Sequence, residues 1–173
     1  MSLSLSFSPR RQWKRVLPAL FCCAQVMLLT VAANAQATGP FAKFSGTWRG
    51  VGKVLTADGN GETIRCSATY SLEQEGKSVS QALVCASDSY RVDIHSFIVA
   101  DGHAVQGHWE ESVRQANGQL EGQVVGDQLE GRISGPGFEA RLSLVTSGAR
   151  QTILITPSGG SISRVQIALS RKG

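Results

Sequence analysis

Beyond residue 37 the chain shows no sustained helical period, no cluster of basic residues, no histidine after His108 and only two cysteines. Each absence removes a class of protein. Without a 3.6-residue apolar rhythm from Phe44 onward, helix bundles and α/β folds drop out. The chain has 17 Lys and Arg against 13 Asp and Glu. Four of the basic residues, Arg10, Arg11, Lys14 and Arg15, fall in the first 37 residues, which hold no acid, so the rest balances at 13 against 13. A neutral body without a basic patch suits neither nucleic acid nor an anionic membrane, and no nucleic-acid partner is expected. There is no G-x-S-x-G, P-loop, H-E-x-x-H or dinucleotide fingerprint. No catalytic residue and no cofactor are therefore assigned, and the expectation is a protein that is not an enzyme. The lack of a C-x-x-C pair argues against redox catalysis.

The first 37 residues read as a secretory signal. A basic start (Arg10 to Arg15) precedes an apolar stretch, Val16 to Ala33, broken by Pro18, Gln25 and Thr30. Small residues then offer A-x-A sites ending at Ala35 or Ala37. The rival reading is an uncleaved anchor, since 18 residues sits at the lower limit for spanning a bilayer. Arg10-Arg11 partly resembles a twin-arginine export signal. The expected organisation is a signal peptide over 1–37, cleaved near 35 or 37, a tail over 38–45 and one β-barrel domain over 46–171. The mature protein would be periplasmic or secreted, with no stable membrane anchor after cleavage.

The body, about 136 residues, has room for one core. Alternating strands separated by Gly, Asn and Asp turns are expected at 46–55, 62–73, 77–86, 90–100, 103–115, 119–125, 128–134, 138–146, 149–156 and 162–170. Tight turns force antiparallel pairing. A turn at Asp101-Gly102 would set Ile94 opposite Trp109 and Ile98 opposite Val105. Asn117-Gly118 would set Glu111 opposite Val124 and Arg114 opposite Glu121. Gly126-Asp127 pairs Val124 with Leu129, Leu120 with Ile133 and Glu121 with Arg132, and makes the QLEG repeat at 119–122 and 128–131 two arms of a hairpin. Ser147-Gly148 would pair Leu142 with Ile153. Apolar residues thus meet on one face and acid–base pairs on the other, a pattern that a one-residue slip would invert. The fold class expected is all-β, an antiparallel up-and-down meander of about ten strands closed into a small barrel, with two stacked sheets as the alternative.

Cys66 and Cys85 fall opposite each other if the chain turns at Glu75-Gly76, a register that also faces Leu72 with Val79 and Ala68 with Leu83. A structural disulfide is expected in an exported protein, and two buried thiols are the alternative.

Gly46-Thr47-Trp48 at the head of the first strand resembles the GxW opening of lipocalins and other calycins, barrels for small apolar ligands. The resemblance implies a Trp at the closed barrel end, covered by a basic residue of the last strand, here Arg164 or Arg171. The longer string Gly46 to Gly52 is similar to the start of nitrobindin-like haem barrels, but their C-terminal His has no counterpart here, so haem is not implied. Trp48, Gly50 and Gly52 share a face, which lets the strand bend around the ring.

Inward polar positions are expected at Tyr70, Gln81, Ser96, Glu111, Gln115 and Gln151, with Trp48, Tyr90, Trp109 and Phe138 as apolar wall. The candidate ligand site is Trp48, Tyr70, Gln81, Tyr90, Trp109, Glu111 and Phe138. Glu111 has three readings: paired with an inward base, lining a wet cavity, or acting as an acid or base. No metal is assigned, although the Asp101-Gly102 register would gather His95, His108, Asp93 and Glu110 on one face, where a solvated outer surface is the alternative. The leading expectation is a barrel binding a small apolar or amphipathic ligand. The second is a solid barrel acting on an envelope protein partner, in the manner of lipocalin-like bacterial protease inhibitors, with Thr38 to Lys43 entering the target.

Overall fold

A computed structural model describes residues 38–173; the signal-peptide reading of 1–37 lies outside the described residues. Ten strands follow one another: β1 (Gly46–Thr56), β2 (Gly61–Glu73), β3 (Ser78–Ala86), β4 (Arg91–Asp101) and β5 (Ala104–Glu111), then β6 (Ala116–Val125), β7 (Gln128–Gly135), β8 (Phe138–Ser147), β9 (Arg150–Pro157) and β10 (Ile162–Arg171). Each pairs antiparallel with its sequence neighbour, and β1 pairs with β10 to close the barrel. Closure satisfies both edges of every strand, so no row of backbone donors and acceptors is left to template aggregation. The stacked-sheet alternative is excluded.

Two-residue alternation decides which side chains enter the core. In β2, Ile64, Cys66, Ala68 and Tyr70 turn inward and are buried, while Thr63, Arg65, Thr69 and Ser71 face out. The same parity runs through Leu83 and Cys85 of β3, Leu120 and Val124 of β6, and Ile167 and Leu169 of β10.

Two registers match the sequence expectation residue for residue. Cys66 faces Cys85, Ala68 faces Leu83 and Leu72 faces Val79, and the cysteines form a disulfide. Val124 faces Leu129, Leu120 faces Ile133 and Glu121 faces Arg132. Three other registers are corrected. Asp101 pairs with Ala104, so Ile94 faces Glu111 and Ile98 faces Gly107. Ser147 pairs with Arg150, so Leu142 faces Ile155 and Leu144 faces Ile153. In both hairpins, and in the one at Gly126, glycine takes the first central position, with φ of +59°, +57° and +63°, and the next residue is not left-handed. That is the Gly-first turn, whereas the sequence expectation takes Asp-Gly and Ser-Gly as the two central residues. The slip is two residues, so every side chain keeps its face.

The third correction is larger. Asn117-Gly118 is not a turn: Glu111 pairs with Ala116 and the reversal lies at Ser112 to Gln115, where Gln115 has φ +55°. Strand β5 ends at Glu111, and Gln115 is an exposed turn residue, not an inward one.

One barrel end is plugged. A 3-10 turn, Ala42–Phe44, lays Phe41 and Phe44 beneath Trp48, which is fully buried. The Trp48 indole N–H donates to the Phe44 carbonyl at 2.9 Å. Arg171, not Arg164, covers the indole, its guanidinium 4.1 Å from the ring centroid, while its nitrogens donate to the carbonyls of Ser45 and Lys43. Gly50 permits the close approach of β1 to β10, since a Cβ there would run into the Ala168 carbonyl oxygen.

Candidate functional site

The two barrel ends differ in how well their inward side chains are covered. Toward the plug, Val105, Leu129, Leu144 and Ile153 are all at or below 5% exposure. A few positions further along the same strands, Trp109, Ile133, Leu142 and Ile155 are only half-buried, and Phe138 is 39% exposed. While Val54, Ile64 and Ala140 at the same end stay buried, on this side of the barrel an apolar wall opens toward water where β5, β7 and β9 finish. This is the mouth.

Trp109 organises that wall. Its ring lies over Gly118 and Gly135, where an added Cβ would come within 2.8 and 2.9 Å of the indole. The indole N–H donates to the Ser134 carbonyl at 3.2 Å, and the ring meets Phe138 edge to face, centroids 6.2 Å apart. Bare glycine backbone makes a shelf for the large ring, so Gly118 is a strand residue because Trp109 needs the space. Tyr90 is half-buried in the β3–β4 turn, where the Ser87 hydroxyl accepts its backbone N–H.

Deeper in, five side chains from five strands form one hydrogen-bonded chain. Ser96 Oγ donates to Gln81 Oε1 (2.8 Å), Gln81 Nε2 to Tyr70 OH (3.2 Å), Tyr70 OH to Gln151 Oε1 (2.9 Å), and Gln151 Nε2 to Thr146 Oγ1 (3.1 Å). Burial pushes the Tyr70 hydroxyl well above the usual phenol range, against the lowering pull of Gln81 and Gln151, so it stays a neutral donor. Gln151 and Thr146 are almost completely buried, and full pairing is what makes such a polar floor tolerable. Thr146 is absent from the sequence-derived set, although its even position in β8, in step with Ala140 and Leu144, marks it as inward.

Of the three readings of Glu111, pairing with a base is met in part, by Arg114 of the following turn and not by an inward group. Its Oε1 accepts the backbone N–H groups of Asp93 (3.1 Å) and Val113 (3.0 Å), and its Oε2 accepts that of Arg114 (2.7 Å). The Arg114 guanidinium stands 3.7 Å away, on a half-exposed side chain. Burial alone would raise this carboxyl, but the three N–H groups and the nearby cation outweigh it and hold the carboxyl below the usual carboxylate range. Glu111 is a rim carboxylate that shapes the β5–β6 turn.

Of the sequence-derived ligand set, the structure thus brings Tyr70 and Gln81 into the polar floor, places Trp109 and Phe138 together at the mouth, leaves Tyr90 in a loop, sets Glu111 at the rim as the last residue of β5, and seals Trp48 in the plug. The metal candidates lie on the outer wall. His95 faces Glu110 and its Nε2 is 3.3 Å from Asp93, while His108 faces Phe97, ring centroids 5.9 Å apart. A turn centred on Asp101-Gly102 would have set His95 opposite His108 and Asp93 opposite Glu110; the two-residue slip undoes both. Among the described residues no three metal-ligating side chains converge. A cleft of about 240 Å³ is lined by His95, Phe97, His108 and Glu110 and also by Gln81 and Ser96. The tail expected to enter a protease is tied down: Gly39 and Phe41 N–H groups donate to the Glu75 and Gly76 carbonyls, and Phe41 is 1% exposed.

Such a closed ten-stranded barrel, plugged at one end, is calycin-like. Two solved structures are among those that resemble it in fold. The S-type phycobiliprotein lyase CpeS from Guillardia theta superimposes with a TM-score of 0.55 at 9% identity, covering 77% of this chain and 90% of that one. Rv2717c from M. tuberculosis gives a TM-score of 0.59 at 13% identity, covering 82% and 99%. No family model and no curated protein matches the sequence. At these identities the likeness is one of fold. It nevertheless corrects one expectation: a lyase is built on this barrel, so the absence of familiar catalytic motifs does not make the fold a non-enzymatic one.

Proposed function

We propose that the protein is an exported barrel that takes a small apolar or amphipathic molecule through the mouth beside Trp109 and Phe138. The observation that carries this is the contrast along single strands between sealed inward residues near the plug and half-exposed ones at the mouth. A barrel meant only as a rigid docking body gains nothing by leaving Trp109, Ile133 and Ile155 uncovered, whereas a ligand completes their burial. The polar floor beneath supplies orientation. Gly46-Thr47-Trp48 under Arg171 supports kinship with the lipocalin-type barrels. Export rests on the basic, apolar, A-x-A leader and agrees with a disulfide between Cys66 and Cys85.

Native mass spectrometry of the protein purified from the periplasm, followed by solvent extraction, tests both parts. The expected result is a chain beginning at Gln36 or Thr38 with a noncovalent adduct of a few hundred daltons. Comparing the extracted molecule with what is supplied separates carriage from conversion. A chain retaining residues 1–37 would refute export. A barrel whose Trp109 and Phe138 stay silent toward every apolar probe would refute the ligand reading.

A further inference from the structure

Resting on that reading, the chemistry of the interior narrows the kind of molecule it accepts. The inward positions of the described strands carry charge only at the two ends: Arg171 over Trp48 at the plug, and Glu62 and Glu111 at the rim. The two rim carboxylates already accept backbone N–H groups, Glu62 from Ser89 and Glu111 from three donors. Between them the inward positions carry no cation to receive an anionic group, and the charges at the rim are the two carboxylates, Glu111 beside Arg114. Burying an unpaired anion there is strongly unfavourable.

The floor also has a direction. Every link donates the same way, from Ser96 through Gln81, Tyr70 and Gln151 to Thr146. The chain therefore has a distinct starting end, and that end lies at the mouth, because Ser96 is paired with Trp109. Valence counting shows what remains there. Ser96 has given its only proton to Gln81 and keeps its lone pairs, so it can accept. Gln81 has used one of two amide protons on Tyr70 and keeps the other, so it can donate. The two side chains sit on directly paired positions of β3 and β4. One acceptor and one donor side by side match a group that both donates and accepts. A carboxylate or sulfonate, acceptor-only, would meet one N–H and the lone pairs of Ser96, and would have to strip Gln81 of its partner to gain a second bond.

We propose that the barrel selects uncharged amphipathic molecules, whose hydroxyl, secondary amine or amide group docks on Ser96 and Gln81 while the apolar body lies against Trp109 and Phe138. A molecule carrying an acidic group is excluded from this depth whatever its apolar body.

Two fluorescent probes with the same ring framework test this, because they differ by one anionic group: N-phenyl-1-naphthylamine and 8-anilinonaphthalene-1-sulfonate. Each is titrated into the full chain, following dye emission and quenching of tryptophan, with Trp109→Phe identifying the share that belongs to the mouth. The expected result is Trp109-dependent binding of the neutral probe, with the sulfonate at least tenfold weaker. Ser96→Ala and Gln81→Met, two separate variants in case one does not fold, are each expected to weaken the neutral probe several-fold and to leave the sulfonate unchanged. Equal or tighter Trp109-dependent binding of the sulfonate overturns the selectivity and leaves the ligand reading standing. Neutral-probe binding that is indifferent to both variants also overturns it. If neither probe reaches Trp109, the ligand reading itself fails.

Discussion

Replacing Glu111 by Gln keeps the shape of the side chain and removes its charge, which makes it a direct probe of the β5–β6 turn. The carboxylate is 6% exposed and accepts three backbone N–H groups. With its oxygen at the Oε1 position, Gln retains the bonds from Asp93 and Val113, weakened because the acceptor is no longer ionised. At the Oε2 position its NH₂ faces the Arg114 N–H across 2.7 Å, donor against donor. One charge-assisted bond is worth about 1.5–3 kcal/mol, and the two retained bonds lose roughly half their strength. The sum is a destabilisation of about 3 kcal/mol, near 10 °C in Tm for a domain of this size. Urea unfolding with the disulfide intact measures it. The pH dependence supplies the second arm. A carboxyl depressed in the folded state stabilises fully above its unfolded value, near 4.5, and that stabilisation fades as pH falls through the lower folded value. The stability gap between the parent protein and the Glu111→Gln variant is therefore full at pH 7 and narrows below pH 4.5. A loss under about 1 kcal/mol, or a gap that does not change with pH, refutes the turn-shaping role.

Other perturbations follow from the same geometry. Arg171→Met removes the cover over Trp48 and two bonds to the Lys43 and Ser45 carbonyls, and is expected to cost about 1–2 kcal/mol and to speed tryptic cleavage after Lys43. Gly118→Val drives a Cβ into the Ser134 carbonyl oxygen and to within 2.8 Å of the Trp109 ring, so loss of the near-ultraviolet tryptophan signal or failure to fold is expected. Tyr70→Phe strands the Gln81 amide and the Gln151 carbonyl, at about 2–4 kcal/mol by denaturant titration. Reducing Cys66–Cys85, 19 residues apart, frees a loop worth about 3 kcal/mol, read as a lower Tm in dithiothreitol.

How much of this is legible in the chain depends on what each residue has to do locally. Strand identity and facing come through because the two-residue alternation is set by burial and survives an even slip, as it does at Gly102 and Gly148. The disulfide comes through because the Glu75-Gly76 reversal lies midway between its cysteines and carries the left-handed φ values that a tight turn requires, at Gln74, Glu75 and Gly76. Asn117-Gly118 misleads because a glycine that makes room for a distant indole looks the same in sequence as one that turns the chain. The true reversal at Ser112 to Gln115 has no Gly or Pro; it is held by Glu111, whose three hydrogen bonds come from backbone N–H groups and leave no mark in residue identity. The plug is half legible. Trp48 and a basic lid are expected from the GxW opening, but Phe41 and Phe44 fall in what reads as a free tail, since nothing in so short a stretch of chain says that their rings find the barrel floor.

Closure between β1 and β10 has a kinetic side. Trp48 is made early, and the arginine that shuts its lid comes more than a hundred residues later, so during synthesis the first strand waits with one flank unpaired. Strands β2 to β9 can add one hairpin at a time, each closing a short loop. The final seam is different: it zips nine backbone pairs at once, from Trp48 with Arg171 to Thr56 with Ile162. Until that seam forms, the apolar interior has a slit along its whole length, and the protein is most vulnerable to proteases at the moment just before it becomes least so.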